Sequence, residues 1–213
     1  MRTIFWICVG VLCAFPALSA DIPNKVDLTV PFICQAPNGN WSQPWQDACE
    51  EAAIIMAVHF AREHPLDKEA GNQEILGLVN YQKKRWGGHH DLTAKRTAAL
   101  MREFYKFTNF RVTNDVSIEG IKAELAAGNI VLAPMAGRML GNRFYRRPGP
   151  EYHFLVFTGY DDERKEFITN DPGTKNGKGY RYKYAIAFYS LHDWAGSKET
   201  IAQGKKTMIV IYK

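Results

Sequence analysis

The chain has 213 residues, with 27 Lys and Arg side chains against 22 Asp and Glu side chains and a formal net charge of +5. This length is sufficient for one domain with a sizeable core that needs no disulfide support. The basic excess is small and is not gathered into a Lys- or Arg-rich tract, so binding to nucleic acid is not expected.

The first residues of the chain predict its compartment. Arg2 precedes a mostly apolar stretch over residues 4–15, and small residues follow it up to Ala20. This pattern is typical of a cleavable signal peptide over residues 1–20. The mature protein, residues 21–213, is therefore expected to be exported, either to the periplasm or to the extracellular space. No later stretch approaches the length of a membrane span, so none is expected after cleavage.

The remaining chain predicts helices first and strands later. Apolar periodicity, capping residues and Gly or Pro breaks set the element boundaries. In chain order we expect an extended segment over 26–33, a loop over 35–45, a helix from Asp47, a helix over 73–84, a helix over 92–107 capped by Asp91, a strand over 110–112, a helix over 117–127, a strand over 130–134 and a loop over 137–149.

Cys49 falls in the first turn of a predicted helix. Asp47 is a good N-cap, and Glu50, three residues later, completes the pattern of a capping box. The amides and the dipole of a helix N-terminus favour negative charge, which predicts a lowered pKa and a reactive thiol. Two structural alternatives stay open: a small buried apolar residue, or a disulfide with Cys34, the other cysteine of the mature chain.

His153 and Asp171 lie on two β-rich runs that flank a polar turn. If the hairpin folds about Asp162, the two side chains come opposite each other within about one residue of register. A carboxylate beside an imidazole fixes the tautomer and supports the imidazolium cation. The alternative is an ordinary turn at residues 171–173 and a histidine that is simply satisfied in the core.

Cys49, His153 and Asp171 follow one another in the order of a papain-like catalytic triad. The chain resembles the papain-like cysteine peptidases related to the bacteriocin double-glycine leader peptidases, in particular their stand-alone, exported branch. The resemblance implies an α+β, papain-like fold with N-terminal helices packed on a mainly antiparallel sheet. The segments that carry it are Val30-Pro31-Phe32-Ile33-Cys34-Gln35, Ala48-Cys49-Glu50-Glu51-Ala52, residues 153–161, and Asn170-Asp171-Pro172-Gly173.

The resemblance also implies acyl transfer that needs no cofactor and no metal. Cys49 attacks a carbonyl, His153 protonates the leaving amine, and Asp171 orients His153. Gln35 supplies an oxyanion donor beside the backbone N–H of Cys49. Gln43 is the alternative donor, because it lies six residues before Cys49 whereas Gln35 lies fourteen residues before it.

The expected substrate is a peptide, a protein or a cell-wall peptide, and the enzyme is expected to be a monomer. Glu50 stands where leader peptidases usually have Gly, so the fit of a substrate beside the thiol stays open. Four arginines in the loop before His153 predict a solvated basic face or, if the loop borders the cleft, an attraction for acidic substrates. These arginines are Arg138, Arg143, Arg146 and Arg147.

The leading expectation is an exported cysteine peptidase, or a related amidase, that cleaves peptide or amide bonds, and two other functions stay open. One is a transglutaminase-like acyltransferase, which uses the same kind of triad. The other is a non-catalytic binding module in which Cys34 and Cys49 form a disulfide. A zinc site at His89 and His90 is not expected, because no matching cluster of ligands lies near them in the sequence.

Overall fold

The computed structural model describes residues 22–213, so the predicted signal peptide lies outside the described residues. No helix within this range is both long enough and apolar enough to cross a bilayer. The helices of this part of the chain are α1 (Cys49–Ala61), α2 (Lys68–Trp86), α3 (Ala94–Tyr105), α4 (Ile118–Ala126) and α5 (Tyr184–Ser190). Its strands are β1 (Lys25–Asp27), β2 (Phe110–Thr113), β3 (Ile130–Ala136), β4 (Tyr152–Asp161), β5 (Glu166–Asn170), β6 (Tyr180–Lys183) and β7 (Met208–Ile211).

The strands form one antiparallel sheet in the order β2-β7-β3-β4-β5-β6, and β1 pairs with the last residues of β4. All ten residues of β4 are buried, because helices cover both faces of the sheet. Phe154 and Val156 point into the core with α1, α2 and α3. Leu155 and Phe157 point into a second core with α4 and α5. The fold class predicted from the sequence is therefore confirmed, with a third layer of helices behind the sheet.

Helix α1 lies at the centre of the first core. The sequence predicts one apolar face for it, yet every residue from Cys49 to Val58 is buried. The reason is its position, since α1 packs on β4 and is flanked by α2 and α3. This burial later governs the chemistry of the residues in its first turn.

The starts of two helices differ from the prediction. A short 3₁₀ turn ends at Asp47, and α1 begins at Cys49 with Ala48 as its N-cap and no side-chain cap. The capping box is therefore wrong. Helix α3 is capped by Thr93, whose hydroxyl accepts a hydrogen bond from the backbone N–H of Arg96, and not by Asp91.

Several other boundaries differ as well. Within the predicted extended segment 26–33, only Val26 and Asp27 are part of a strand. Helix α2 is longer than its predicted range because it begins after the Asp67 cap. The prediction also did not include β6, α5 or β7, the elements that complete the sheet and cover its second face.

The hairpin of β4 and β5 sets the position of His153, the predicted base, relative to Asp171. Asp161 pairs with Glu166, so the turn is centred between residues 163 and 164 and not on Asp162. A bulge between Phe157 and Gly159 then shifts the register. Asp171 is the first residue after β5, and its side chain reaches His153 from a diagonal position.

Candidate active site

His153 and Asp171 form a buried pair. His153 Nε2 lies 2.8 Å from Asp171 Oδ1, and the two side chains are 1% and 0% exposed. Gly137 and Gly173 allow the ring to sit there, since a Cβ on Gly137 would approach His153 Cβ at 3.0 Å and a Cβ on Gly173 would approach its Cε1 at 2.9 Å. With Nε2 bound to the carboxylate, Nδ1 is the nitrogen left to exchange a proton.

Asp171 accepts more hydrogen bonds than the one from His153. Burial alone would raise its pKa, but the charge of His153 and the hydrogen bonds outweigh burial, and the pKa of Asp171 is lowered. The carboxylate is therefore held ionised without contact with solvent. Its other donors are the backbone N–H of Gly173 at 2.9 Å on Oδ1, and Tyr182 at 2.6 Å, Tyr145 at 2.7 Å and Asn142 at 2.9 Å on Oδ2.

Three partners of Asp171 were not predicted from the sequence: Asn142, Tyr145 and Tyr182. Asn142 and Tyr145 lie in the arginine-rich loop, which indicated a solvated face and therefore no buried contact. Tyr182 alternates with Tyr180 on β6, a period-two pattern that indicates a strand with tyrosines on one side. This pattern is visible in the sequence, but the contact between Tyr182 and Asp171 depends on the pairing of β6 with β5.

Cys49 begins α1 and lines a cavity of about 200 Å³ together with Gln35 and His153. Its thiol is 4% exposed and donates a hydrogen bond to Glu50 Oε2 at 2.9 Å. None of the hydrogen bonds among residues 22–213 joins Cys49 to His153. The predicted lowering of the thiol pKa is wrong for this arrangement: burial, and then the nearby charge of Glu50, raise the pKa of Cys49 well above its usual value.

Glu50 has a different partner from the one that a capping box requires. Its Oε1 accepts a hydrogen bond from the backbone N–H of Leu92 at 2.7 Å, and the residue is 1% exposed. Burial, followed by the charges of Glu51 and Asp91, raises its pKa well above the usual value. Glu50 thus ties α1 to the loop before α3 and lies in a setting that disfavours negative charge.

Glu51 anchors the same loop from the other side. His89 Nε2 lies 3.1 Å from Glu51 Oε1, and Gln82 donates to the same oxygen. Burial alone would lower the pKa of His89, but Glu51 outweighs it, so the pKa of His89 is raised. His89 therefore has a structural partner in the described part of the chain, which accounts for its position without a metal.

The two candidate oxyanion residues differ in position. Gln35 is buried, lines the cavity of Cys49, and donates from Nε2 to the carbonyls of Trp45 at 3.0 Å and Gln46 at 2.8 Å. Its Oε1 is buried without a partner in the described residues. Gln43 is exposed and does not line this cavity itself, although Asp47, to which it donates a hydrogen bond, does. The structure therefore brings Gln35, and not Gln43, beside the thiol.

The described cysteines, Cys34 and Cys49, are both free thiols. The alternative of a disulfide-linked binding module is not what the structure shows. Burial raises the pKa of Cys34, which lines a second cavity on the far side of Gln35.

Comparisons with known proteins bear on the family of the chain and on its fold. The model of the Peptidase_C39 like family matches residues 27–201. No curated protein matches the chain. A protein from Bacillus anthracis, assigned as a C39-like peptidase, has a TM-score of 0.56 at 16% identity over 89% of this chain and 98% of that chain. Xylellain, a cysteine protease from Xylella fastidiosa, has a TM-score of 0.45 at 17% identity over 91% of this chain and 87% of that chain.

The fold and the site together define a class. Helices packed on an antiparallel sheet, with a cysteine at the start of the central helix and a buried His–Asp pair on facing elements, are the features of a papain-like cysteine peptidase. The family match covers well over half of the chain, and the protein belongs to the Peptidase_C39 like family of cysteine peptidases. The resemblance to papain-like cysteine peptidases of the C39 type is confirmed.

Proposed function

We propose that the protein is an exported peptidase that cleaves peptide bonds through a Cys49–His153–Asp171 triad. The observation that carries this proposal is the buried His153–Asp171 pair, whose histidine lines the same cavity as the thiol at the start of α1. A nucleophile, a base and a residue that orients the base are the three parts that acyl transfer needs.

The first chemical step transfers the thiol proton of Cys49 to His153 Nδ1, while the sulfur attacks the substrate carbonyl. For this step the sulfur exchanges its acceptor, from Glu50 Oε2 in the resting site to the imidazole. The imidazolium that forms is stabilised by Asp171, whose carboxylate is already ionised. His153 then returns the proton to the leaving amine, and water hydrolyses the acyl-enzyme.

The oxyanion is stabilised by the backbone N–H of Cys49, one of the unpaired amides at the helix N-terminus. Gln35 is the second donor. Because its amide N–H groups bond to the carbonyls of Trp45 and Gln46 in the resting site, one of them is released when substrate binds.

The test is amidolysis of a mixed peptide library by wild-type protein, Cys49→Ala and the matched control Cys34→Ala. Cys49→Ala is expected to lose at least about 10⁴-fold in kcat/KM, because no second thiol of residues 22–213 lines this cavity. Cys34→Ala is expected to stay within about threefold of wild type. Activity that survives in Cys49→Ala contradicts the mechanism. Addition of a primary amine separates hydrolysis from acyl transfer, since a transacylase yields the amide product.

Export is tested separately. Expression of the full chain in a bacterial host should yield a processed protein in the periplasm or medium, with an N-terminus at or next to residue 21, because the signal resides in the first 20 residues. A protein that keeps Met1 and stays in the cytosol contradicts the export proposal and leaves the chemistry untouched.

A further inference from the structure

The cleft has two arms that meet at His153. The small arm is the cavity of Cys49, of about 200 Å³. The large arm is a second cavity of about 740 Å³, a size typical of ligand-binding sites. His153, Gln35, Gln46, Gly149 and Pro150 line both of them, so the two arms form one continuous cleft.

The two arms differ in charge. The small arm is bordered by three carboxylates and two cations, and one of these cations, Arg138, pairs with Glu151 at 2.9 Å. The large arm is bordered by Arg146 and Lys175 and, in the described residues, by no carboxylate. Among residues 22–213, neither Arg146 nor Lys175 forms an ion pair, although Lys198 in the small arm reaches Glu151 at 3.8 Å.

The large arm also presents aromatic side chains to solvent. Trp41 is 44% exposed and Phe144 is 39% exposed, and both line this cavity. Burial of an exposed aromatic side chain beneath an apolar group of a ligand is favourable in free energy. Two of the four arginines in the loop, Arg143 and Arg147, do not line either arm, whereas Arg146 does.

We propose that the large arm binds the part of a peptide substrate that carries a carboxylate side chain next to an apolar one. Arg146 and Lys175 contact the carboxylate, and Trp41 and Phe144 cover the apolar group. Two unpaired cations in a cleft without opposing charge are complementary to an acidic side chain, and a guanidinium binds a carboxylate in two-point geometry. The inference rests on the proposed peptidase function and names the class of substrate.

The experiment uses pairs of internally quenched peptides in which each position on either side of the cleaved bond is Glu in one member and Gln in the other. Wild-type protein is expected to prefer Glu over Gln by roughly two- to fivefold in kcat/KM at one or two positions on one side, a scale typical of a partly exposed charged contact. The preference should shrink in high salt, because salt screens exposed charges.

Paired charge reversals test the assignment to residues. The double variant Arg146→Glu and Lys175→Glu should lose the preference for Glu or invert it. Its control, Arg147→Glu and Lys178→Glu, makes the same charge change in the same two loops at positions that do not line the cavity, and should keep the preference.

Two results would overturn the inference while the peptidase stands: cleavage with no preference for Glu, or a preference that survives in the Arg146 and Lys175 double variant. If no peptide of the library is cleaved, the proposed function is contradicted instead. Fluorescence anisotropy of the labelled Glu and Gln peptides on Cys49→Ala then decides the inference, and equal affinities reject it.

Discussion

The two halves of the active site meet at one cavity but are built in opposite ways. On the strand half, Asp171 is ionised inside the protein because five donors and the charge of His153 outweigh its burial. On the helix half, burial and neighbouring carboxylates raise the pKa values of both Cys49 and Glu50. In the resting site, the surroundings of Asp171 therefore favour its ionised form beside His153, whereas the surroundings of Cys49 disfavour the thiolate.

This difference has a consequence for the order of events. A helix N-terminus favours a thiolate, but the effect falls off within the first turn and is modest against burial and a nearby carboxylate. In the proposed mechanism, Cys49 therefore reaches the thiolate state by transferring its proton to His153, and not by ionising in advance. The strand half then supplies the driving force of this transfer, because it stabilises the imidazolium.

The largest expected effect concerns the strand half. His153→Ala is expected to lower kcat/KM by about 10⁴-fold, nearly as much as removal of the thiol, because no second imidazole among residues 22–213 lines the cavity. The measurement is steady-state amidolysis, with the exposed His90→Ala as control. The double variant of Cys49 and His153 should be no worse than either single one. Additive losses would show that the two halves act independently.

Asp171→Asn should have a smaller effect on rate, about 10²- to 10³-fold, because the amide holds the ring less well. It should also cost about 2–4 kcal/mol of unfolding free energy, since the donors on Oδ2 lose an ionised acceptor. Denaturant unfolding and kcat/KM measure the two effects.

The same variant tests the pH dependence of stability. The pKa of Asp171 lies below its ordinary value of 3.8 in the folded protein. Its stabilising contribution is thus complete above about pH 4 and is lost as the pH falls through the lower folded value. Asp171→Asn should lack this part of the acid-induced loss. Identical pH profiles in both proteins would contradict the ionised carboxylate.

Gln35→Ala should lower kcat by about 100-fold through loss of an oxyanion donor, whereas Gln43→Ala should stay within about twofold. The reason is that Gln35 lines the cavity of Cys49, whereas Gln43 does not. Steady-state kinetics of the two variants, supported by thermal unfolding curves, give the comparison. If the larger effect falls on Gln43, the oxyanion assignment is wrong and the triad is unaffected.

The smallest expected effect concerns the helix half. Glu50→Gln should raise the rate of Cys49 alkylation at pH 7 by roughly three- to tenfold, because the amide carries no charge at any pH and its N–H can donate a hydrogen bond to the thiolate sulfur. Iodoacetamide labelling followed by peptide mapping measures it, and Cys34 in the same protein is the internal control. An unchanged or slower rate would show that Glu50 does not hold the thiol neutral.

Much of the fold could be predicted from local patterns. The apolar run of β4, the Ser117 cap of α4 and the Gly128 break after it depend on neighbouring residues and on backbone preference, and the structure places α4 within one residue of its predicted bounds at either end. The short elements late in the chain could not be predicted in this way. β7 pairs with β2 and β3, far from it in sequence, and its four residues carry little periodicity of their own.

The sequence by itself determined the order of the parts: a cysteine at a helix start, then a histidine and an aspartate on either side of one turn. Capping preference and strand alternation act over a few residues, so a linear pattern records them. Only the tertiary structure decided the charge states. Tyr145 and Tyr182 reach Asp171 from separate elements, and Asp91 faces Glu50 from another loop. Burial and Coulomb interactions depend on distance in space, which the order of residues along the chain does not specify.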